Sequence, residues 1–237
     1  MASIARFENV TLLDASQGHG REPATVLRDA SLDLPEGRYA LAGADADCGA
    51  VVDLLLRRRD PARGRVGIFT TLSYPIGSVA AFSVPVAGRD MVQFLGRLHR
   101  FDADAALSRL ASILPAPEIL EARLDRASVP DRLALSAALG AMVDVETYVI
   151  AGNLVDQRFP DAFIAYLAEA YAEALNGRSV LVAARQAEVA ASLADRTLLV
   201  ANGTLTIRRG VGGTEMSEGA APRLAGGPEG VADDLIA

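Results

Sequence analysis

Gly43 and Gly49 bracket the stretch Ala44-Asp45-Ala46-Asp47-Cys48, between a short apolar strand pattern and an apolar helix pattern. A glycine-flanked loop in that setting can aim backbone N–H groups at an anion, above all a phosphate. The usual chemistry of such a loop needs a lysine. This sequence has none: its 23 basic residues are all arginine. Schiff-base chemistry and a lysine general base are excluded with it. Asp45 and Asp47 also put two carboxylates where a phosphate chain would lie. Like charges a few ångströms apart cost on the order of a few kcal/mol near a protein surface. Two readings of the loop stay open: an anion site at the helix N-terminus, or aspartates that cap its amides themselves. Cys48 starts the same helix, where the dipole is expected to lower a thiol pKa. A nucleophilic role needs a base, and neither His19 nor His99 has a reason to be near, so Cys48 reads as a small buried residue.

Other chemistries are thinly supplied. Two histidines and one cysteine rule out a zinc site of four Cys/His ligands within one chain, and no metal site is expected. A disulfide framework is excluded too, which suits a reducing compartment. The pairs Asp102-Asp104 and Asp233-Asp234 read as solvated turns, and His99 as a helix end where a cation is mildly favoured. Arg57-Arg58-Arg59, with Arg63 and Arg65, form the main basic cluster and read as a solvated helix end. A net charge of -7 argues against a nucleic-acid partner. The first residues lack the apolar core of a signal peptide, and no stretch approaches ~20 apolar residues, so no direct membrane insertion is expected.

The elements that must position these residues follow from periodicity. Strands are expected at 4–10, 26–34 (with a turn near Arg28-Asp29), 38–42, 65–69, 147–150 and 179–184. Residues 197–207 form a hairpin across Asn202-Gly203. Helices are expected at 50–58, 89–98, 103–114, 118–124, 131–142, 161–175 and 188–194, with Gly177 as a stop signal. Residues 14–23, 43–49 and 72–88 read as loops. From about Arg208 large apolar residues nearly vanish, and 208–237 reads as a flexible tail. Strand, glycine-flanked loop and helix, then buried parallel-type strands separated by helices, is the order of a phosphate-loop α/β domain.

Several stretches carry a family likeness. FENVTLL at 7–13 and VLRDASLDLPEGRYALAG at 26–43 form a strand pair leading into the loop. LSYPIGSVAAFSVPVAGRDMVQFLGRL at 72–98 holds Ser73-Tyr74-Pro75-Ile76-Gly77, then Ala81-Phe82-Ser83, then the helix start Gly88-Arg89-Asp90. RLALSAALGAMVDVETYVI and SVLVAARQAEVAASLADRTLLVANGTL follow at 132–150 and 179–205. In order and spacing this resembles the ATP-binding subunits of ABC transporters, most of all those that drive export of capsular polysaccharide and related cell-surface glycans. The resemblance spans about 4–207. It implies a phosphate-loop NTPase-like α/β fold: a mixed sheet core, an antiparallel β subdomain and a helical subdomain at about 89–142, within one domain at 1–207.

The family's working residues are replaced here one by one. Its loop lysine falls on Cys48 or Gly49, and its metal-binding hydroxyl on Gly49, Ala50 or, at most, Val51. Its glutamine falls on Ser83, and its signature serine-glycine segment on Arg126-Ala127-Ser128-Val129-Pro130. The strand that should end in aspartate-glutamate ends in Ala151-Gly152. Asp156 and Arg158-Phe159 remain in the following segment, and Arg185 stands at the switch histidine, where two readings stay open: binding a phosphate, or an ion pair with Asp45 or Asp47. Asp14 takes the place of the adenine-stacking aromatic. The resemblance therefore implies a degenerate subunit with no catalytic residues, in which ATP hydrolysis is not expected and binding of ATP with magnesium is disfavoured. It implies protein partners: a permease, a competent ATPase subunit or a second copy. Its implied location is cytoplasmic or peripheral on the inner membrane. A soluble scaffold of glycan export or assembly without a permease, and a subunit that retains ATP binding, are the alternatives.

Overall fold

A computed structural model describes residues 2–14, 24–151, 158–183 and 187–211. Its strands are β1 (Ser3–Leu13), β2 (Thr25–Pro35), β3 (Arg38–Gly43), β4 (Arg63–Ile68), β5 (Thr147–Ala151), β6 (Ser179–Ala183), β7 (Arg196–Ala201) and β8 (Thr204–Arg209). Its helices are α1 (Asp45–Leu55), α2 (Gly88–His99), α3 (Ala103–Ile113), α4 (Val129–Gly140), α5 (Asp161–Ala174) and α6 (Ala187–Leu193). The strands form an antiparallel sheet, β2-β1-β4, and a mixed sheet, β5-β6-β3-β7-β8, in which β8 alone is antiparallel.

Period-two alternation seats the mixed sheet between two cores. Tyr39 and Leu41 of β3, Val149 of β5 and Leu181 of β6 face a core shared with β1, β2 and α1. Ala40, Tyr148, Val180 and Val182 face the opposite way, onto Ile76, Val143 and Leu175. Near-continuous apolar runs are what a sheet covered on both faces requires. A third core joins α2, α3 and α4 through Val92, Leu95, Leu110, Leu124, Leu135 and Leu139, with Phe82 and Phe163 completing it. Each fully buried leucine there contributes about 1.5–3 kcal/mol relative to exposure.

Hydrogen bonds from the 72–76 segment pin these layers together. Ser73 N–H donates to Thr147 O and Ile76 N–H to Val149 O, so this segment runs beside β5. Tyr74 Oη donates to Ser136 O at 2.7 Å and Tyr171 Oη to Ala137 O at 2.8 Å, tying α4 to the sheet and to α5. α4 is accordingly buried from Leu133 to Gly140.

β8 runs to Arg209, two residues into the stretch expected as a flexible tail, because Arg208 and Arg209 pair with Thr197 and Arg196 of β7. Three further elements differ from the sequence expectation. β2 passes straight through Arg28-Asp29: a bulge, with φ of 49° at Asn9 and 47° at Asp29, stands where a turn was expected. Asn9 N–H donating to Ser31 Oγ at 2.9 Å helps to hold it. The expected helix at 118–124 is instead two 3-10 turns, Pro117–Leu120 and Leu124–Arg126. Helix α1 begins at Asp45, five residues earlier than expected.

Candidate functional site

The parallel register brings the C-terminal ends of β3, β5 and β6 to one edge of the mixed sheet, at Gly43, Ala151 and Ala183. Open α/β sheets place ligand sites along this edge. Gly43 closes β3 at φ 146°, and a Cβ there would lie 2.3 Å from Val200 O on β7, so only glycine fits.

One residue, Ala44, separates Gly43 from α1. Ala44 is the N-cap, in extended conformation, and makes no side-chain cap. Cys48 N–H donates to Ala44 O at 2.9 Å, the first turn of the helix. The expected loop over 43–49 is therefore a correction: residues 45–49 are helical. The aspartates do not stand at the N-cap position, which is Ala44. They occupy the first turn itself, where a negative charge is stabilised by the macrodipole.

The surroundings are acidic. Asp14, at the end of β1, is buried, and its N–H donates to Ala24 O at 2.7 Å. Burial, and then the nearby Asp14 charge, raise the Asp47 carboxyl above the ordinary aspartate range. Cys48 is 8% exposed and packs into the first core. Burial, with Asp45 and Asp47 adding to it, pushes its thiol up to about 12. This reverses the lowered pKa expected at a helix start, since desolvation and two like charges outweigh the dipole. His99 is corrected likewise: burial lowers its pKa, against the cation expected at a helix C-terminus.

The lysine position, which the sequence leaves between Cys48 and Gly49, divides sharply. Cys48 points into the core, while a Cβ on exposed Gly49 would meet nothing within 4 Å. Ala50 is buried. Ser83 is exposed and ends the 3-10 turn Val79–Phe82. Ser128 is the N-cap of α4: its Oγ accepts from Asp131 N–H at 3.3 Å and donates to Asp131 Oδ2 at 2.6 Å. Ala151 closes β5, opposite Ala183. Gly152, Asp156, Arg185 and His19 lie outside the described residues, as do Asp233 and Asp234. Asp102 proves to be the N-cap of α3, accepting from Asp104 N–H and Ala105 N–H at 3.0 Å each. Arg57, at φ 54°, closes α1 with Arg57 N–H donating to Leu54 O and Arg58 N–H to Asp53 O. Among the described residues, no group of three His, Cys, Asp or Glu could hold a metal ion.

The structure thus holds Gly43, Asp45, Asp47 and Cys48 at one junction, sets the end of β5 at Ala151 two strands away along the same sheet, and adds Asp14 as the electrostatic neighbour of Asp47. Nothing in the sequence signals that last contact, which depends on how β1 ends against α1.

No protein-family model matches the chain, and no curated protein does. Solved structures do. One is described as a metal-chelate type ABC transporter in an inward-facing conformation: 16% identity, TM-score 0.55, 87% of this chain and 83% of that one. Another is described as an ATP-binding subunit of an ABC transporter: 14% identity, TM-score 0.58, 87% of this chain and 90% of that one. The chain has the fold of these ATP-binding subunits, with its mixed sheet, antiparallel sheet and helical layer.

Proposed function

We propose that this chain is a catalytically inactive relative of ABC-transporter ATP-binding subunits. Its role is that of a structural or regulatory partner in the export of capsular or other cell-surface polysaccharide. The observation that carries the first part is the start of α1, one residue past Gly43 with Asp45 and Asp47 in its first turn. A phosphate chain needs a ring of free amides and a cation. This site offers only one helix N-terminus, two carboxylates with Asp14 behind them, and a thiol held protonated. These residues do not fit a magnesium nucleotide, and no catalytic step runs through one.

The glycan assignment rests on the resemblance of 72–98 to polysaccharide exporters. The partners this reading implies are a permease, a competent ATPase subunit or a second copy of the chain. No helix among the described residues is long and apolar enough to cross a membrane, which is compatible with a peripheral subunit. Isothermal calorimetry of the pure chain with ATP and magnesium tests the first part. No binding tighter than ~100 μM is expected, since one helix N-terminus does not supply the ~5.5 kcal/mol required. Tighter binding, or ATP turnover above buffer, sinks this reading. Co-purification of a permease tests the second part; its absence favours a soluble scaffold of glycan assembly.

A further inference from the structure

We propose that the outer edge of β4 docks an extended segment of another protein, one alternating acidic and apolar residues, as an added strand of the antiparallel sheet.

The edge is open. In the order β2-β1-β4 both outer strands could be free, but β2 is engaged at Leu27, which bridges Gly203, and through Arg28 N–H to Gly203 O at 2.8 Å. Among the described residues β4 pairs with β1 alone. Phe69 N–H donates to Ile4 O at 3.0 Å, and the register sets Ile68 opposite Ala5. Antiparallel ladders alternate, so Gly67 and Arg65 bond to β1 while Val66 and Ile68 turn their N–H and C=O groups outward. Those outward groups are a template for strand addition.

The side chains specify the occupant. Val66 and Ile68 pack against the rim of the first core. Arg65 and Phe69 share the opposite, solvent face, with exposed Arg63 beyond the irregular Gly64, and Phe69 is 60% exposed with the Arg6 guanidinium 5.7 Å from its ring centre. A strand laid along β4 continues both faces. Its core-side residues extend the apolar rim, and its outer residues lie beside the two arginines. Charge favours acid at those outer positions. The chain carries a net -7, yet Arg57, Arg58, Arg59, Arg63 and Arg65 fall within nine residues that lead from the end of α1 into β4, with Asp60 the one acid among them. Arg58 pairs with Asp53 and Arg65 with Glu8, while Arg57, Arg59 and Arg63 form no ion pair among the described residues. A second copy is the poorer occupant, because joining two β4 edges sets the arginines of one alongside those of the other.

The test is fluorescence anisotropy on the full chain with a labelled, capped peptide of alternating glutamate and valine, the length of β4. The comparator alternates lysine and valine. Saturable binding of the glutamate peptide is expected, at least ~10-fold tighter than the lysine peptide and weakened by salt. Val66→Pro removes an outward N–H while sparing the bonds to β1, and is expected to weaken binding at least ~10-fold. Arg63→Glu keeps the test decisive should the proline disturb folding: it is expected to weaken the glutamate peptide and strengthen the lysine peptide. Equal binding of both peptides, binding of neither, or indifference to both variants overturns the proposal and leaves the arginines as guards against aggregation. Self-association that Arg63→Glu abolishes overturns it too, and assigns the edge to a second copy.

Discussion

At Asp47, burial and the Asp14 charge outweigh the favourable helix dipole, so its negative charge is costly. Its folded carboxyl binds a proton more tightly than the unfolded one, through burial and the Asp14 charge. Between the unfolded and folded pKa values the native state therefore carries more protons, and stability falls as pH rises through that window. The penalty is absent below the unfolded value near 3.8 and complete at neutral pH. Asp47→Asn is expected to raise stability at pH 7 by ~0.2–1 kcal/mol, the scale of a solvent-screened interaction, and to change nothing near pH 3. Thermal unfolding across that pH range measures it; a gain largest in acid refutes the assignment. Cys48 gives a second reading of the same surroundings. With its thiol pushed up to about 12, only roughly one molecule in ten thousand is thiolate at pH 8. Iodoacetamide should leave Cys48 untouched in the native chain and modify it at once in urea, as mass spectrometry would show.

At the scale of elements, the junction of β3 with α1 is the tightest point of the site. Gly43→Ala forces a side chain to φ 146° and against Val200 O, and is expected to cost ~2–4 kcal/mol in urea unfolding. A cost below 1 kcal/mol would mean that β3 and β7 separate freely here. This junction also marks the limit of what the sequence discloses. The strands of the mixed sheet are legible as apolar runs, and the Asn202-Gly203 hairpin as a turn dipeptide with both residues at positive φ. Gly177, at φ 68°, ends α5 as its type predicts. The start of α1 is not legible, because Asp45 and Asp47 read equally as loop residues and as first-turn acids; only the close approach of Gly43 to Val200 decides between them. The Arg28-Asp29 bulge is hidden for a related reason. A polar pair inside an alternating strand signals a turn until its partner strand is seen to bulge at the matching place.

At the scale of the whole molecule, the proposed inactivity makes the absence of lysine one deficit among several, and adding a lysine tests that proposal. Gly49 is the position where a lysine can be added without collision, exposed on α1 with open space around its Cβ. Cys48→Lys would instead bury an ammonium in the first core. Gly49→Lys replaces a helix-interior glycine and is expected to stabilise the chain by ~0.5–1 kcal/mol. It should confer neither nucleotide binding nor turnover. Phosphate capture is a property of a loop, a cation and a metal-holding carboxylate acting as a unit, and such units do not regain function one residue at a time. Asp45 and Asp47 still occupy the first turn in this variant, and β5 still ends in Ala151. A thermal-shift titration with ATP and magnesium separates the two effects. Gly49→Lys should melt higher than the parent at every nucleotide concentration, and neither curve should move as nucleotide is added. A nucleotide-dependent rise confined to Gly49→Lys would show that the site lacks only its cation, and that the helical start of α1 is no barrier to phosphate.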